Sequence, residues 1–404
     1  MQRDSSSTRL SLPKSVWALG LVSLLMDTSS ELVHSLLPVF MSTVLGASML
    51  TIGFVEGIAE ATASAARVLS GAFSDHLRKR KPLVVLGYGL SAAAKPMFPL
   101  ASTIGWVFGA RFADRVGKGI RGAPRDALLA DIVPAGGRGA AYGLRQALDS
   151  VGAFLGPLLA LGFMVLLSGD IESVLWVAVV PAGFAVAVLV FGVSEPRRRE
   201  APAHAGRGFS RNAVSALPRP YWGVVMIGAM FTLARFSEAF LVLRAQNVGL
   251  PLTLVPLTLI VMNVSYALAA YPSGRAADRV SAHWLFLAGL AALITSDACL
   301  ALADTPWLAM PGAALWGLHM GLTQGLLSKR VADTSPASLH GTAFGIFHLV
   351  TGAAMLLASV IAGALWSRYG PAATFGASAL FASLVAVILL AGRRNRGPAG
   401  QKSA

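Results

Sequence analysis

Gly139-Ala-Ala-Tyr-Gly143 recurs 202 residues later as Gly341-Thr-Ala-Phe-Gly345. Ala130-Asp131-Ile-Val-Pro134 returns as Ala332-Asp333-Thr-Ser-Pro336, also at 202, and Gly71-Ala-Phe-Ser-Asp75-His76 returns as Gly274-Arg-Ala-Ala-Asp278-Arg279 at 203. Any one match could be chance in a chain rich in Ala and Gly. Three at half of a 404-residue chain point to a duplicated unit.

Composition says what that unit is made of. Hydrophobic residues fill 55% of the chain, charged residues only 13%, and mean hydropathy is +0.66. A soluble domain carries about 25% charged residues, so the solvent of this surface is lipid. A spanning helix needs about 20 mostly apolar residues. Such runs lie near 15–40, 50–72, 82–101, 104–125, 140–167 and 173–193, and again near 220–244, 253–273, 283–303, 306–328, 341–366 and 371–391. The expected fold is all-α, with twelve spanning helices in two pseudo-symmetric six-helix bundles. The first run resembles a secretory leader but continues past Asp27 to Phe40 without an A-x-A site, and it reads as a retained helix.

Several function classes fall away. Cys299 is the only cysteine, which excludes an internal disulfide framework. Zinc spacings and nucleophile elbows are absent, and Val116-Gly-Lys-Gly-Ile-Arg-Gly122 lacks the spacing of a phosphate loop. No enzyme, cofactor or resident metal is expected, and the drive is expected from a proton gradient. Net charge is +14 with pI about 10.7, which in a soluble protein would suggest nucleic acid. Here the basic residues gather in alternate loops. With both termini cytoplasmic, 22 Lys and Arg fall on the inner side and Arg244 and Arg368 on the outer side. That bias sets the orientation and removes nucleic acid as a partner. The basic segment 194–219 reads as a linker between bundles 1–193 and 220–404. A multi-pass monomer of a bacterial inner membrane is expected.

With the repeat, the helix count and the loops in place, the chain resembles the major facilitator superfamily over essentially its whole length. The loop after helix 2 resembles that family's G-x-x-x-D-R-x-G-R-[KR] motif through Gly71, Asp75, Arg78, Lys79 and Arg80, with His76 where the motif has Arg and its second Gly absent. The second copy keeps Asp278-Arg279. The resemblance implies a gate, in which this loop holds the bundles together on the inner side of the outward-open state. Arg115-Val-Gly-Lys-Gly119 resembles an R-x-x-x-G element tied to proton coupling. Gly143, Gly152 and Gly156-Pro157 in helix 5 resemble the antiporter motif of drug–proton exporters, which implies efflux of a drug-like or amphiphilic molecule.

Ionisable residues inside spanning segments are costly and usually face a cavity or a partner. Helix 1 carries Asp27, Glu31 and His34 on one face, and helix 2 carries Glu56 and Glu60 one turn apart. Lys95, Asp114, Arg145, Asp149 and Asp297 lie deeper along the chain, and several read as permanent ion pairs. The resemblance implies a cavity lined by helices 1, 4, 7 and 10. Its candidates are Asp27, Glu31, His34, Arg111, Arg235, Glu238, His319 and Gln324, with Glu60 beside them. Asp27 or Glu31 is expected to carry the coupling proton, with Arg111 as counter-charge. Asp27, Glu31 and His34 would also suit a divalent metal such as nickel, cobalt or iron, which Arg111 would penalise. Inward symport of a metabolite or siderophore is a further alternative. A receptor or membrane-embedded enzyme fits these spread charges less well.

Overall fold

A computed structural model describes residues 12–76, 79–134, 137–195, 211–277, 279–336 and 339–394. The described chain is helical, without strands. Its spanning elements are α1 (Lys14–Val39, extended by a π turn at Phe40–Val44), α2 (Met49–His76), α3 (Lys81–Ala94), α4 (Ile104–Ile132), α5 (Arg138–Leu166) and α6 (Ile171–Gly192). The second half has α7 in two pieces (Arg219–Leu233 and Ala239–Asn247), α8 (Leu257–Ala276), α9 (Ala282–Leu302), α10 (Pro306–Thr334), α11 (His340–Tyr369) and α12 (Pro371–Arg394).

Seven of these segments are apolar enough along a whole span to cross a bilayer by length and composition alone. The other five are α2, α3, α4, α7 and α10. Charge dilutes α2 and α4, while Pro311, His319 and Gln324 dilute α10. The helix of α3 stops at Ala94 rather than near 101, because Pro96 has no N–H to continue it and the chain tightens into a 3-10 turn at Lys95–Met97.

The interruption of α7, where one continuous helix was expected, has another cause. Ala234-Arg-Phe-Ser-Glu238 contains neither Pro nor Gly, so side chains from elsewhere hold the break open. Ser378 of α12 lies 2.6 Å from the Ala234 carbonyl, and Ser359 of α11 accepts from the Ser237 N–H at 3.2 Å. Serine hydroxyls thus satisfy backbone groups that lipid cannot.

Small residues set the helix contacts, because backbones approach closely where no side chain intervenes. A Cβ on Gly119 would stand 2.8 Å from the Ala63 carbonyl of α2, and one on Gly321 would stand 3.0 Å from the Tyr266 carbonyl of α8. Gly87 touches Arg121 across the α3–α4 seam, and Gly289 touches Thr323 across the α9–α10 seam. The offsets 321 − 119 and 289 − 87 are both 202, so the repeat extends to the packing itself. Helices α1 to α6 pack on one another, as do α7 to α12. The two halves meet most extensively along α2 and α11. Gly53 abuts the Ser359 carbonyl, Gly363 abuts Met49, and the Leu50 N–H donates to Ser367 Oγ at 3.1 Å. These contacts lie toward the end of the bundle opposite the basic loops.

Gly143, Gly152 and Gly156 of α5 have unequal neighbours. Gly143 is exposed with open space around it, whereas a Cβ on Gly156 would meet the Thr28 carbonyl at 2.6 Å and Glu31 Cβ at 2.7 Å. Gly156→Ala is therefore expected to destabilise the α1–α5 seam by about 1–3 kcal/mol, the usual range for overpacking. Gly143→Ala should be neutral. Thermal melting of the two variants in the same detergent checks this, and equal melting temperatures would contradict the seam.

Candidate functional site

One face of α4 carries Arg111, Arg115, Lys118, Arg121 and Arg125, spaced by three or four residues so that they form a ladder. Carboxylates from α1 and α2 stand opposite. Arg111 Nη2 donates to Glu56 Oε2 at 2.7 Å, and both residues are fully buried. Arg115 lies 3.2 Å from Glu60, whose side chain is partly exposed. Arg121 lies 3.6 Å from Asp27, donates to Ser91 and sits 4.5 Å above the Tyr88 ring. Arg125 donates to Ser23 at 2.9 Å and faces Asp149, which Arg145 also reaches at 2.9 Å. Behind the ladder, Lys95 bonds Asp114 at 2.9 Å and Ser30 at 3.0 Å in full burial.

His34 joins this network to the other half. Its Nδ1 is 2.9 Å from Arg111 Nη2. A guanidinium only donates, so Nδ1 must accept and the ring proton sits on Nε2. That nitrogen faces Glu238 Oε2 of the α7 break at 3.9 Å. A neutral His34 therefore touches a buried ion pair on one side and the partner half on the other.

Some expected residues come together here and others do not. His34, Arg111, Glu60, Arg235 and Glu238 are brought into one charged region. Arg235 is half-buried, makes no ion pair among the described residues, and feels the charges of Glu238 and Glu60. Glu31 and Gln324 are half-buried without a side-chain partner among those residues. Arg111, expected opposite Asp27 or Glu31, is paired with Glu56 instead. The reason is Gly119, which draws α4 onto α2. His319 is buried in the α9–α10 joint, where Nδ1 meets the Gly289 carbonyl at 2.8 Å and the ring stacks on Phe231. Two residues that the sequence reading did not single out for the cavity belong with this group. Glu56 was marked only by its one-turn spacing to Glu60, and Lys118 only as the lysine of the Arg115–Gly119 element.

Comparison with known proteins fits this architecture. Residues 19–258 and 224–404 each match the Major Facilitator Superfamily. The chain belongs to the major facilitator superfamily. An uncharacterized MFS-type transporter of Methanocaldococcus jannaschii is 32% identical over 406 residues, covering 96% of each chain. An uncharacterized protein of Mycobacterium tuberculosis is 30% identical over 351 residues, 85% of each. Among solved structures, a nucleoside transporter, NupG, aligns with a TM-score of 0.79 at 15% identity over 93% of this chain and 99% of its own. A peptide transporter, POT, aligns with a TM-score of 0.78 at 14% identity over 95% of each. At such identities these two share the fold with this chain. The protein is a multi-pass membrane transporter of this superfamily, not an enzyme.

The superfamily loop motif is partly visible. Gly71 packs beside Ala123, and Lys79 and Arg279 are exposed, while the Asp75 side chain, Arg78 and Asp278 lie outside the described residues. Arg80 is buried. Its N–H meets Glu195 Oε1 at 2.5 Å and its guanidinium lies 3.4 Å from Asp131. Lys81 Nζ caps the Val190 and Val193 carbonyls of α6. The loop thus ties α3 to the ends of α4 and α6 within one half. In α5, Gly152 and Gly156 with the buried Pro157 seat Asp27 and Glu31 against the seam. Among the described residues no three His, Cys, Asp or Glu side chains cluster as a metal site.

The Lys95–Asp114 pair supplies a test that separates packing from transport. Removing one member of a buried pair costs about 3–5 kcal/mol, whereas replacing both by apolar residues is often neutral. Asp114→Leu alone should lower stability by that amount, and Lys95→Met with Asp114→Leu should recover most of it. Melting curves of the single and double variants decide between a structural pair and an uncoupled one.

Proposed function

We propose that this protein is a proton-coupled secondary transporter exporting a small charged or dipolar organic molecule by alternating access. The observation that carries it is His34, whose two ring nitrogens face the buried Arg111–Glu56 pair and Glu238 of the other half. Protonating Nδ1 would set two donors, Arg111 Nη2 and the new N–H, against each other 2.9 Å apart. The imidazolium would move off Arg111 toward Glu238, and the contact between halves would change with the proton. Glu31 and Asp27 stand on the same face one and two turns away and receive the proton from, or pass it to, the cavity water.

The alternation of basic loops supports cytoplasmic termini, and the membrane of this reading is a bacterial inner membrane. Since the two halves meet at the opposite end, the cavity opens to the cytoplasm in this conformation. The bundles 1–193 and 220–404 rock as units about the site, joined by 194–219, and one chain suffices. Export follows from the α5 motif, whose glycines hold α1, the carrier of Asp27, Glu31 and His34. The charges along α4, together with Arg235, favour a solute with an anionic group. They weigh against a divalent metal, and an amphiphilic drug is accommodated only if it bears such a group. Inward symport of a metabolite is the second reading, which the same site allows.

Purified protein in vesicles carrying an internal pH dye, challenged with zwitterionic, anionic and cationic organic solutes and with nickel and cobalt salts, tests this. Substrate-dependent proton flux opposite to the substrate is expected. His34→Gln and Glu238→Gln should each reduce proton-coupled flux about tenfold, equivalent to roughly 1.4 kcal/mol, while leaving substrate exchange without a gradient. Coupling at the wild-type level in both variants would remove His34 from the mechanism. Protons moving with the substrate would make the protein an importer.

A further inference from the structure

Asp297 of α9 is fully buried in the second half and belongs to none of the contacts described for the cavity. Its Oδ2 lies 2.6 Å from Ser378 Oγ, and the same hydroxyl lies 2.6 Å from the Ala234 carbonyl at the start of the α7 break. Both distances are at the short end for O–H···O bonds. A serine has one proton, which cannot lie along both lines, and a carbonyl has none to give. Asp297 is the group on that line able to carry a second proton. A proton on Asp297 would complete both contacts, the carboxylic acid donating to Ser378 and Ser378 donating to Ala234.

Its surroundings agree. Asp297 Oδ1 is buried with no hydrogen-bond partner, and no ion pair reaches Asp297 among the described residues. An ionised carboxylate without a counter-charge would be far more costly there than a neutral acid. The cations and titratable groups on the neighbouring helices are turned elsewhere. In α7, Arg244 donates to the Leu300 and Ala303 carbonyls and to Asn247, while Arg235 and Glu238 face the cavity. In α10, His319 is held by Gly289, and α12 carries no ionisable residue between Pro371 and Ala391. The repeat sharpens the contrast. Lys95 and Asp297 are 202 apart, as are Asp114 and Trp316. Lys95 has its carboxylate, whereas the counterpart of that carboxylate in the second half is Trp316.

We infer that Asp297, Ser378 and the Ala234 carbonyl form a second proton-binding site, which holds its proton while the α7 break has the shape seen here and releases it when that break rearranges. On release the O–H bond of Oδ2 breaks heterolytically. The proton leaves to water admitted as the Ala234 carbonyl moves away, and the carboxylate left behind accepts from the freed Ser378 hydroxyl. The break carries Arg235 and Glu238, so loading and unloading this acid moves two charges of the substrate cavity. This rests on the transporter reading, but not on His34 being the coupling residue.

Infrared spectroscopy of the protein in vesicles at neutral pH, with substrate exchange followed over a pH series, tests it. The wild type should show the carbonyl band of a protonated carboxylic acid. Asp297→Asn should remove that band, and Ser378→Ala should shift it to higher frequency by taking away its acceptor. If conversion requires release, wild-type exchange rises with pH, and Asp297→Asn, which cannot release a proton, should be slow and flat across the series. Should Asp297→Asn fail to insert, the wild-type band and its shift in Ser378→Ala still decide. Absence of the band in the wild type, or a band unmoved by Ser378→Ala, would overturn the assignment. So would an Asp297→Asn protein with the wild-type pH profile. Loss of coupling in His34→Gln bears on the other site alone and leaves the Asp297 band in place.

Discussion

A fully buried guanidinium inside a spanning bundle requires polar partners, most effectively a carboxylate within hydrogen-bond reach, because a lone charge there costs several kcal/mol. The Arg111–Glu56 contact meets that requirement, and much of the first half follows from it. Two helices can bring such side chains together in a dry interior only if their backbones come close. Gly119 provides that approach by admitting α2 against α4. Once α4 is seated, Arg115 falls opposite Glu60 and Arg121 opposite Asp27. The ladder is thus a consequence of one packed seam. His34 accepts from Arg111 on the side that faces the other half, so the contact that stabilises one bundle is also the one the partner bundle can sense.

The two halves share packing and differ in charge. Gly87 and Gly289, and Gly119 and Gly321, keep the same helix approaches 202 residues apart. Close backbone approach tolerates little else, which explains why glycines hold the repeat best. The side chains on those helices were free to diverge. Arg111 and Arg115 have Ala313 and Gly317 as counterparts, and Gly117 has His319. A scaffold duplicated in this way carries its fixed charge on one side and presents a mostly neutral face on the other. Across such a boundary a single proton changes the balance appreciably.

The architecture was legible in the sequence because lipid allows few solutions. Long apolar runs must be helices, basic loops must alternate, and a half-chain offset implies two bundles. Helix ends were less legible where the cause was tertiary or lay in a single residue. The α7 break has no Pro or Gly to announce it and depends on Ser359 and Ser378, which are remote in sequence. Charged residues could be found by type, but their partners could not. Spacing places Asp27, Glu31 and His34 on one face, yet which arginine meets which carboxylate depends on helix rotation and approach, set by glycines on three helices. His319 shows the converse. Its composition suggested a cavity ligand, whereas Gly289 made room for it as a joint between helices.

The α7 break links these features physically. Two of its backbone groups, the Ala234 carbonyl and the Ser237 N–H, are satisfied by hydroxyls, each of which can rotate away at little cost, rather than by an unbroken helical ladder that would have to melt. One hydroxyl, Ser359, sits where α11 meets α2, since Gly53 presses on its carbonyl. The other, Ser378, is shared with Asp297. Between them stand Arg235 and Glu238, pointing at the charges of the first half. Any movement of the α2–α11 seam therefore reaches the break through Ser359, and any movement of the break alters both Glu238 opposite His34 and the acceptor that holds the Asp297 proton. Rocking of the halves, charge rearrangement in the cavity and protonation are thus joined through five residues of non-helical backbone. A rigid, fully helical α7 would keep the same charges but would leave them unconnected.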